Sequence, residues 1–361
     1  MLDIKLKLKA GHTSERQWME SSRLKTLFWN VTYDCNYRCP VCFTDSGETQ
    51  PGELTTEEAF RTVKRIHEAG VHDVIISGGE PFIRKDMTAI LEKMAKSGIR
   101  ARIASNGSLL TENILSRLRN ATLTDSFQIS LDTVRPDFYE KFHNAPAGSF
   151  LDVMDTLGRI KEYGFHTTVS VRVMPETLAG IPKLIDTAVE LGWSTVTLHI
   201  PVPTRRFRDA FPSGTDIISL LRPVFEHFCD CSRTWLVETY IPWAQYHPVI
   251  KKLAERIRVV NRGCRAGRDR LTINPTGMIS PCVCLDVQEA YIGNVKHDNL
   301  QDVFKNSRLC NLMRHPLDYG ICADCPNAGK CGGGCRVSAF ATSGRMDAVD
   351  QSCPVRRRMD R

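Results

Sequence analysis

The sequence predicts an α/β fold: a partial (β/α)6 barrel of parallel strands followed by a small cysteine-rich C-terminal domain. Three observations predict it. Between residues 27 and 200, six short β-branched or apolar runs alternate with longer amphipathic stretches. Past residue 261 the long periodic segments stop, and cysteine, glycine and asparagine become dense. The 361 residues also exceed what one hydrophobic core usually fills. Repeated βα units imply a parallel sheet with right-handed crossovers, and place functional residues where strands end. Six units make an open or partly closed barrel; a closed barrel of eight is not supported.

The first strand is Leu27 to Tyr33. A helix follows from Thr55 to Ala69, with Thr55 or Thr56 as cap, Glu57 and Glu58 in the first turn, and Gly70 as stop. The next strand is His72 to Ser77 and the next helix Asp86 to Lys96, ended by Gly98. Strands from Arg100 to Ser105, Ser126 to Leu131, His166 to Val173 and Ser194 to Ile200 continue the pattern. Helices from Thr111 to Arg119, Pro136 to His143, Phe150 to Tyr163 and Ala179 to Leu191 lie between them. A further helix is expected from Asp216 to Cys229. The resulting division is an N-terminal extension (1–26), the barrel core (27–215), a helical linker (216–260) and the cysteine-rich domain (261–361).

Composition narrows the class. Apolar residues make up 42% and charged residues 25%, which excludes a disordered chain. No apolar run is long enough to span a membrane, and residues 1–10 lack the apolar core of a secretory signal. A cytoplasmic, reducing setting is therefore expected, in which the 14 cysteines read as metal ligands before disulfides. The net charge of +7 is dispersed apart from the tail Arg356-Arg357-Arg358, with no basic and aromatic stripe of the nucleic-acid kind.

Directly after the first strand stands Cys35-Asn-Tyr-Arg-Cys39-Pro-Val-Cys42-Phe43. Three thiolates at C-x3-C-x2-C spacing can hold one metal centre and leave a position open, as reactive sites do. A zinc site is one candidate and a four-iron cluster with one free iron the other. At the end of the second strand stands Ser77-Gly78-Gly79-Glu80-Pro81. Its glycines let a ligand approach the backbone, and Glu80 can accept from an ammonium group.

The two motifs together, over residues 27 to 200, resemble the radical S-adenosylmethionine (SAM) superfamily. The resemblance implies that Cys35, Cys39 and Cys42 bind a 4Fe–4S cluster whose open iron chelates SAM. It implies that Phe43, Gly78, Gly79, Glu80 and Pro81 help seat the cofactor. Strand-end positions Asn106, Ser130 and Arg172, and more weakly Asp132, resemble the family's ribose and carboxylate contacts. The chemistry implied is one-electron cleavage of SAM to a 5′-deoxyadenosyl radical that abstracts hydrogen from substrate.

In the C-terminal part, Cys264 is followed by Gly277, Cys282, Cys322-Ala-Asp-Cys325, Cys331-Gly-Gly-Gly-Cys335 and Cys353. Leu271–Ile273 and Met278–Ser280 flank Asn274-Pro-Thr-Gly277, a hairpin that can bring Cys264 and Cys282 together. Two zinc sites would satisfy this spacing. The order of spacings resembles the SPASM extension of radical SAM enzymes, which implies two auxiliary 4Fe–4S clusters. By that resemblance Cys322, Cys325, Cys331 and Cys353 bind one, and Cys264, Cys282 and Cys335 the other. Cys284 or Cys310 would supply the missing fourth ligand, or the iron stays open. Cys229 and Cys231 read as small core residues.

Auxiliary clusters favour a net oxidation, since a substrate radical must lose one more electron. The resemblance therefore implies an oxidoreductase acting on a small metabolite or a natural-product intermediate, or a peptide or protein maturase, with a flavodoxin- or ferredoxin-type electron donor. A non-catalytic iron–sulfur scaffold is the third reading. Only 26 residues precede Leu27, too few for a leader-binding domain of ~80–90 residues. Arg205, Arg206 and Arg208 could grip an anion. Glu238, Tyr240 and His247 are candidate general bases.

Overall fold

The computed structural model describes residues 2–7, 23–202, 206, 216–230, 236–315 and 322–353. Arg205, Arg208, Cys231 and the basic tail lie outside the described residues. The strands are β1 (Leu2–Lys7), β2 (Thr26–Asn30), β3 (Asp73–Ser77), β4 (Arg100–Ser105), β5 (Thr124–Ser130), β6 (His166–Arg172) and β7 (Thr195–Ile200). They continue as β8 (Leu236–Thr239), β9 (Arg258–Asn261), β10 (Arg270–Ile273), β11 (Met278–Ser280) and β12 (Gly293–Asn294). All join one sheet in the order β12-β11-β10-β2-β3-β4-β5-β6-β7-β1-β8-β9. Strands β2 to β7 pair in parallel and are the six predicted ones.

The crossover helices are α1 (Thr56–Glu68), α2 (Met87–Lys96), α3 (Glu112–Ala121), α4 (Pro136–His143) and α5 (Ser149–Glu162). The last crossover holds the single turn α6 (Pro175–Leu178) and α7 (Ile181–Glu190). In α1, Thr55 and Glu58 form the capping box that the sequence offers, and Ala59, Thr62, Val63 and Ile66 make the buried stripe. One parity of the strands is buried as well: Val74 and Ile76, Ala101 and Ile103, Phe127 and Ile129, Val169 and Val171, Val196 and Leu198. These residues form one aliphatic core between sheet and helices.

The other parity is polar or mixed: Ile75 and Ser77, Arg102 and Ala104, Gln128 and Ser130, Ser170 and Arg172, then His199. A concave sheet whose inner face carries such groups is a chamber rather than a second core.

The structure departs from the sequence reading in three places. Residues 2–7 enter the sheet, antiparallel to both β7 and β8, and their Ile4 and Leu6 are buried. The expected helix from Asp216 to Cys229 is two, α8 (Ile217–Leu220) and α9 (Arg222–Asp230), since Pro223 supplies no amide donor for one continuous ladder. The sheet also runs across the expected boundary near 261, because β10 pairs in parallel with β2. The remaining helices are α10 (Pro248–Arg256), α11 (Leu300–Asn306), α12 (Arg308–Arg314), α13 (Ala328–Cys331) and α14 (Arg336–Ser343).

Candidate active site

A cavity of about 230 Å³ opens inside the sheet. Its wall includes Cys35, Cys39, Cys42, Phe43, Gly78 and Gly79 from the first two loops. Asn106, Ser130 and Arg172 contribute from the ends of later strands. Cys264, Cys282 and Cys284 close it from the C-terminal part. Residues more than two hundred positions apart thus share one chamber.

The first cysteine loop is fixed by backbone pairing. The Gly79 amide donates to the Thr32 carbonyl at 2.8 Å, and the Glu80 amide to the Asp34 carbonyl at 2.9 Å. This approach explains both glycines. A Cβ on Gly79 would stand 2.0 Å from the Asp34 carbonyl oxygen, and Gly78 adopts φ +139°. Arg206 holds the loop from the far side. It donates to the Cys39 and Ser46 carbonyls at 3.1 and 3.0 Å and pairs with Asp45 at 2.7 Å. Its guanidinium therefore braces the cysteine loop instead of gripping an anion in the cavity.

Glu80 is fully buried and is absent from the described cavity wall, as is Pro81. Its carboxyl accepts from the Ser105 hydroxyl at 3.0 Å, the Asn106 amide at 2.8 Å and the Phe82 amide at 3.2 Å. Burial, opposed by those donors, pushes its carboxyl up to about 7. Asn106 in turn donates to Asn36 in the cysteine loop at 2.9 Å. The second motif thus orients the strand-four loop, and that loop touches the first motif.

Cys39 has an unforeseen neighbour. His143, at the end of α4, places Nδ1 3.4 Å from the Cys39 sulfur. Its Nε2 lies 3.2 Å from Asp132, and Arg172 pairs with the same carboxylate at 3.4 Å. Asp132 is buried at φ +60°, a conformation its contacts must hold. Burial alone would raise the Cys39 thiol, but the contact with His143 and the charges of His143 and Arg172 bring it below its ordinary value. Burial would lower His143, yet Asp132 and Cys39 raise it to about 9.

The C-terminal cysteines fall into two groups. Cys264, Cys282 and Cys335 line one small cleft, with Met313 and Gly334. Cys322, Cys325, Cys331 and Cys353 line a second, with Trp243 and Tyr246. Buried Asp350 ties these groups together, accepting from the Cys335 amide at 2.7 Å, Trp243 Nε1 at 3.2 Å and Ser338 Oγ at 2.9 Å. Cys284 stands beside Cys282, and their thiol contact lowers Cys282 and raises Cys284. Cys310 lies elsewhere. It is fully buried in α12, its amide donates to Ser307, and it lines neither cleft. Among the described residues no three His, Cys, Asp or Glu side chains converge on a single-ion site.

Of the candidate bases, Tyr240 lines the cavity, with Lys5 over its ring at 5.2 Å. Glu238 is taken by Arg262 at 2.9 Å. His247 is taken by Asp216 at 3.0 Å.

Two family models match the chain. The radical SAM superfamily matches residues 29–202, and the SPASM iron–sulfur cluster-binding domain matches residues 264–326.

The chain belongs to the radical SAM superfamily and carries a SPASM domain.

Such an enzyme binds SAM and a 4Fe–4S cluster, and its SPASM domain binds auxiliary iron–sulfur clusters. An AdoMet-dependent heme synthase of Oleidesulfovibrio alaskensis is 26% identical, over 92% of this chain and 88% of the relative. A mycofactocin maturase of Mycobacterium tuberculosis is 27% identical, over 91% and 82%. Among solved structures, Streptococcus suis SuiB bound to S-adenosylmethionine superposes with a TM-score of 0.68 at 17% identity, covering 92% of this chain and 78% of that one. That likeness is one of fold.

Within this radical SAM fold, sequence reasoning missed His143, Arg102, Arg270 and Asp350. His143 had no signal beyond its place at a helix end. Arg102 had one: it is an arginine on the cavity-facing parity of a strand whose other parity is apolar.

Proposed function

We propose that the chain is a radical SAM/SPASM oxidoreductase that abstracts hydrogen from a small metabolite or natural-product intermediate of sugar, nucleoside or tetrapyrrole type. The observation that carries the reading is the single cavity lined by Cys35, Cys39 and Cys42 on one side and Cys264, Cys282 and Cys284 on the other. In this reading Cys35, Cys39 and Cys42 hold the first cluster. Gly78 and Gly79 admit SAM against the backbone, with Asn106, Ser130, Arg172 and Phe43 around it. Cys322, Cys325, Cys331 and Cys353 hold one auxiliary cluster. Cys264, Cys282 and Cys335 hold the other, with Cys284 beside them as fourth donor in preference to Cys310. When bound, these groups supply one-electron cleavage of SAM and an adjacent electron acceptor. The protein's part is to orient substrate and exclude water from the chamber. The heme synthase relative supports a tetrapyrrole-type substrate.

A second reading, a peptide maturase, is supported by the mycofactocin maturase relative. In either reading a flavodoxin- or ferredoxin-type protein delivers the electron.

Anaerobic reconstitution tests the proposal. The protein should bind about twelve irons, losing about four when Cys35, Cys39 and Cys42 become Ala. With dithionite it should cleave SAM to 5′-deoxyadenosine. Iron near four in the wild type would remove the auxiliary clusters, and no SAM cleavage would remove the activity.

A further inference from the structure

The charged side chains of the cavity wall are all of one sign. The wall carries Lys5, Arg102, Arg172, Arg265 and Arg270, while none of its described residues is an aspartate or glutamate. Three of these cations have partners. Arg172 pairs with Asp132 at 3.4 Å. Arg265 pairs with Asp269 at 2.8 Å. Lys5 sits over the Tyr240 ring. Arg102 and Arg270 form no ion pair with any described residue.

Arg270 comes from β10, opposite Thr26 of β2, and lies 5.0 Å over the ring of Phe28, two residues further along β2. That stacking fixes the plane of the guanidinium. Its Nε is buried without a hydrogen-bond partner. Burial together with the nearby Arg265 charge lowers Arg270 to about 10, and Arg102 adds to the effect. Two guanidinium groups facing one chamber repel each other, and burying a guanidinium without an anion is costly. Such an arrangement is retained where an anion arrives with the ligand. A carboxylate matches it best, because the guanidinium fork donates two parallel hydrogen bonds to its two oxygens.

We propose that Arg102 and Arg270 form a carboxylate-binding subsite at the floor of the cavity, so that the substrate is a carboxylic acid anchored by that group. The proposal rests on the cavity being the substrate site of the enzyme proposed above. Arg102 stands three residues before Ser105 on β4, roughly 10 Å below the strand end at ~3.3 Å per residue. A carboxylate held there directs the rest of the substrate toward the strand-end loops, where SAM is expected. The carboxylate can belong to a small acid or to a peptide terminus, since the recognising chemistry is the same.

The test is anaerobic calorimetric titration of the reconstituted, SAM-loaded enzyme with two matched pairs of probes. One pair is succinate and dimethyl succinate. The other is N-acetyl-glycylglycine and its C-terminal amide. In at least one pair the acid should bind and its neutral partner should not. Succinate binding alone marks a small-acid substrate, and peptide binding alone marks a peptide terminus. Arg102→Gln and Arg270→Gln should each weaken acid binding about tenfold or more. Arg270→Lys, which keeps the charge but not the fork, should fall between. Failure of both acids to bind, or equal binding by acid and neutral partner, overturns the subsite; that comparison needs no variant to fold. SAM cleavage by the wild type is read separately. An enzyme that cleaves SAM but ignores carboxylates loses this subsite and keeps the proposed function. One that binds carboxylates without cleaving SAM does the reverse.

Discussion

Glu80 is a carboxyl fixed by three donors and sealed from solvent. Its neutral form is favoured up to about pH 7 by burial. A carboxyl raised above its unfolded value contributes stability below the unfolded value, near 4.5, and loses it as pH rises through about 7. The loss is on the order of 3 kcal/mol. In protein without SAM the melting temperature should therefore fall by a few degrees between pH 5 and 8. Glu80→Gln, which does not titrate, should flatten that slope; equal slopes in the two proteins would show that Glu80 is ionised throughout. The same residue marks a limit of sequence reading. Its motif is plain, but the donors Ser105 and Asn106 lie on another strand's end, and only the fold brings them to it. Cys284 and Cys310 make the same point. Spacing left both open, and burial inside α12 is what sets Cys310 apart.

At the scale of elements, the turn after β3 brings two stretches of backbone into close contact. Gly79→Ala forces a Cβ onto a backbone oxygen that cannot retreat without breaking two amide hydrogen bonds. The expected cost is about 3 kcal/mol or more, with weakened SAM binding. Gly98→Ala is the control. Gly98 has a positive φ, +69°, which Gly79 does not, but a Cβ there meets nothing, so only the ~1–2 kcal/mol of backbone strain applies. Thermal melts of the two variants should differ; equal melts would show that the Asp34 contact is not formed. The strands were legible because their alternation is strong: Val74 and Ile76 face helices, Ile75 and Ser77 the cavity. The same alternation hid Arg102, since it was read for its apolar parity alone. β8 and β9 are four residues each, too short for a pattern to rise above a linker.

For the whole molecule, the decisive join is the parallel pairing of β10 with β2. The C-terminal region was legible as a cysteine pattern, but its share in the sheet was not, since a four-residue strand carries no sign of its partner. A chain ending at residue 262 would leave the β2 edge bare, with unpaired amides and carbonyls beside the fully buried Leu27 and Trp29. Such a truncation should aggregate in size-exclusion chromatography, where the full chain does not. A soluble monomer with an intact melting transition would show that β10 is dispensable to the barrel.

That pairing also sets a timetable. Cys35 leaves the ribosome roughly 230 residues before Cys264, and at ~5–20 residues per second the interval is roughly 10–50 s. Throughout it the chamber lacks the wall that Cys264, Arg270 and Cys282 provide. The thiols of the first loop meet the surrounding solution before they meet their final neighbours. The oldest part of the site in translation order is therefore the last to be enclosed.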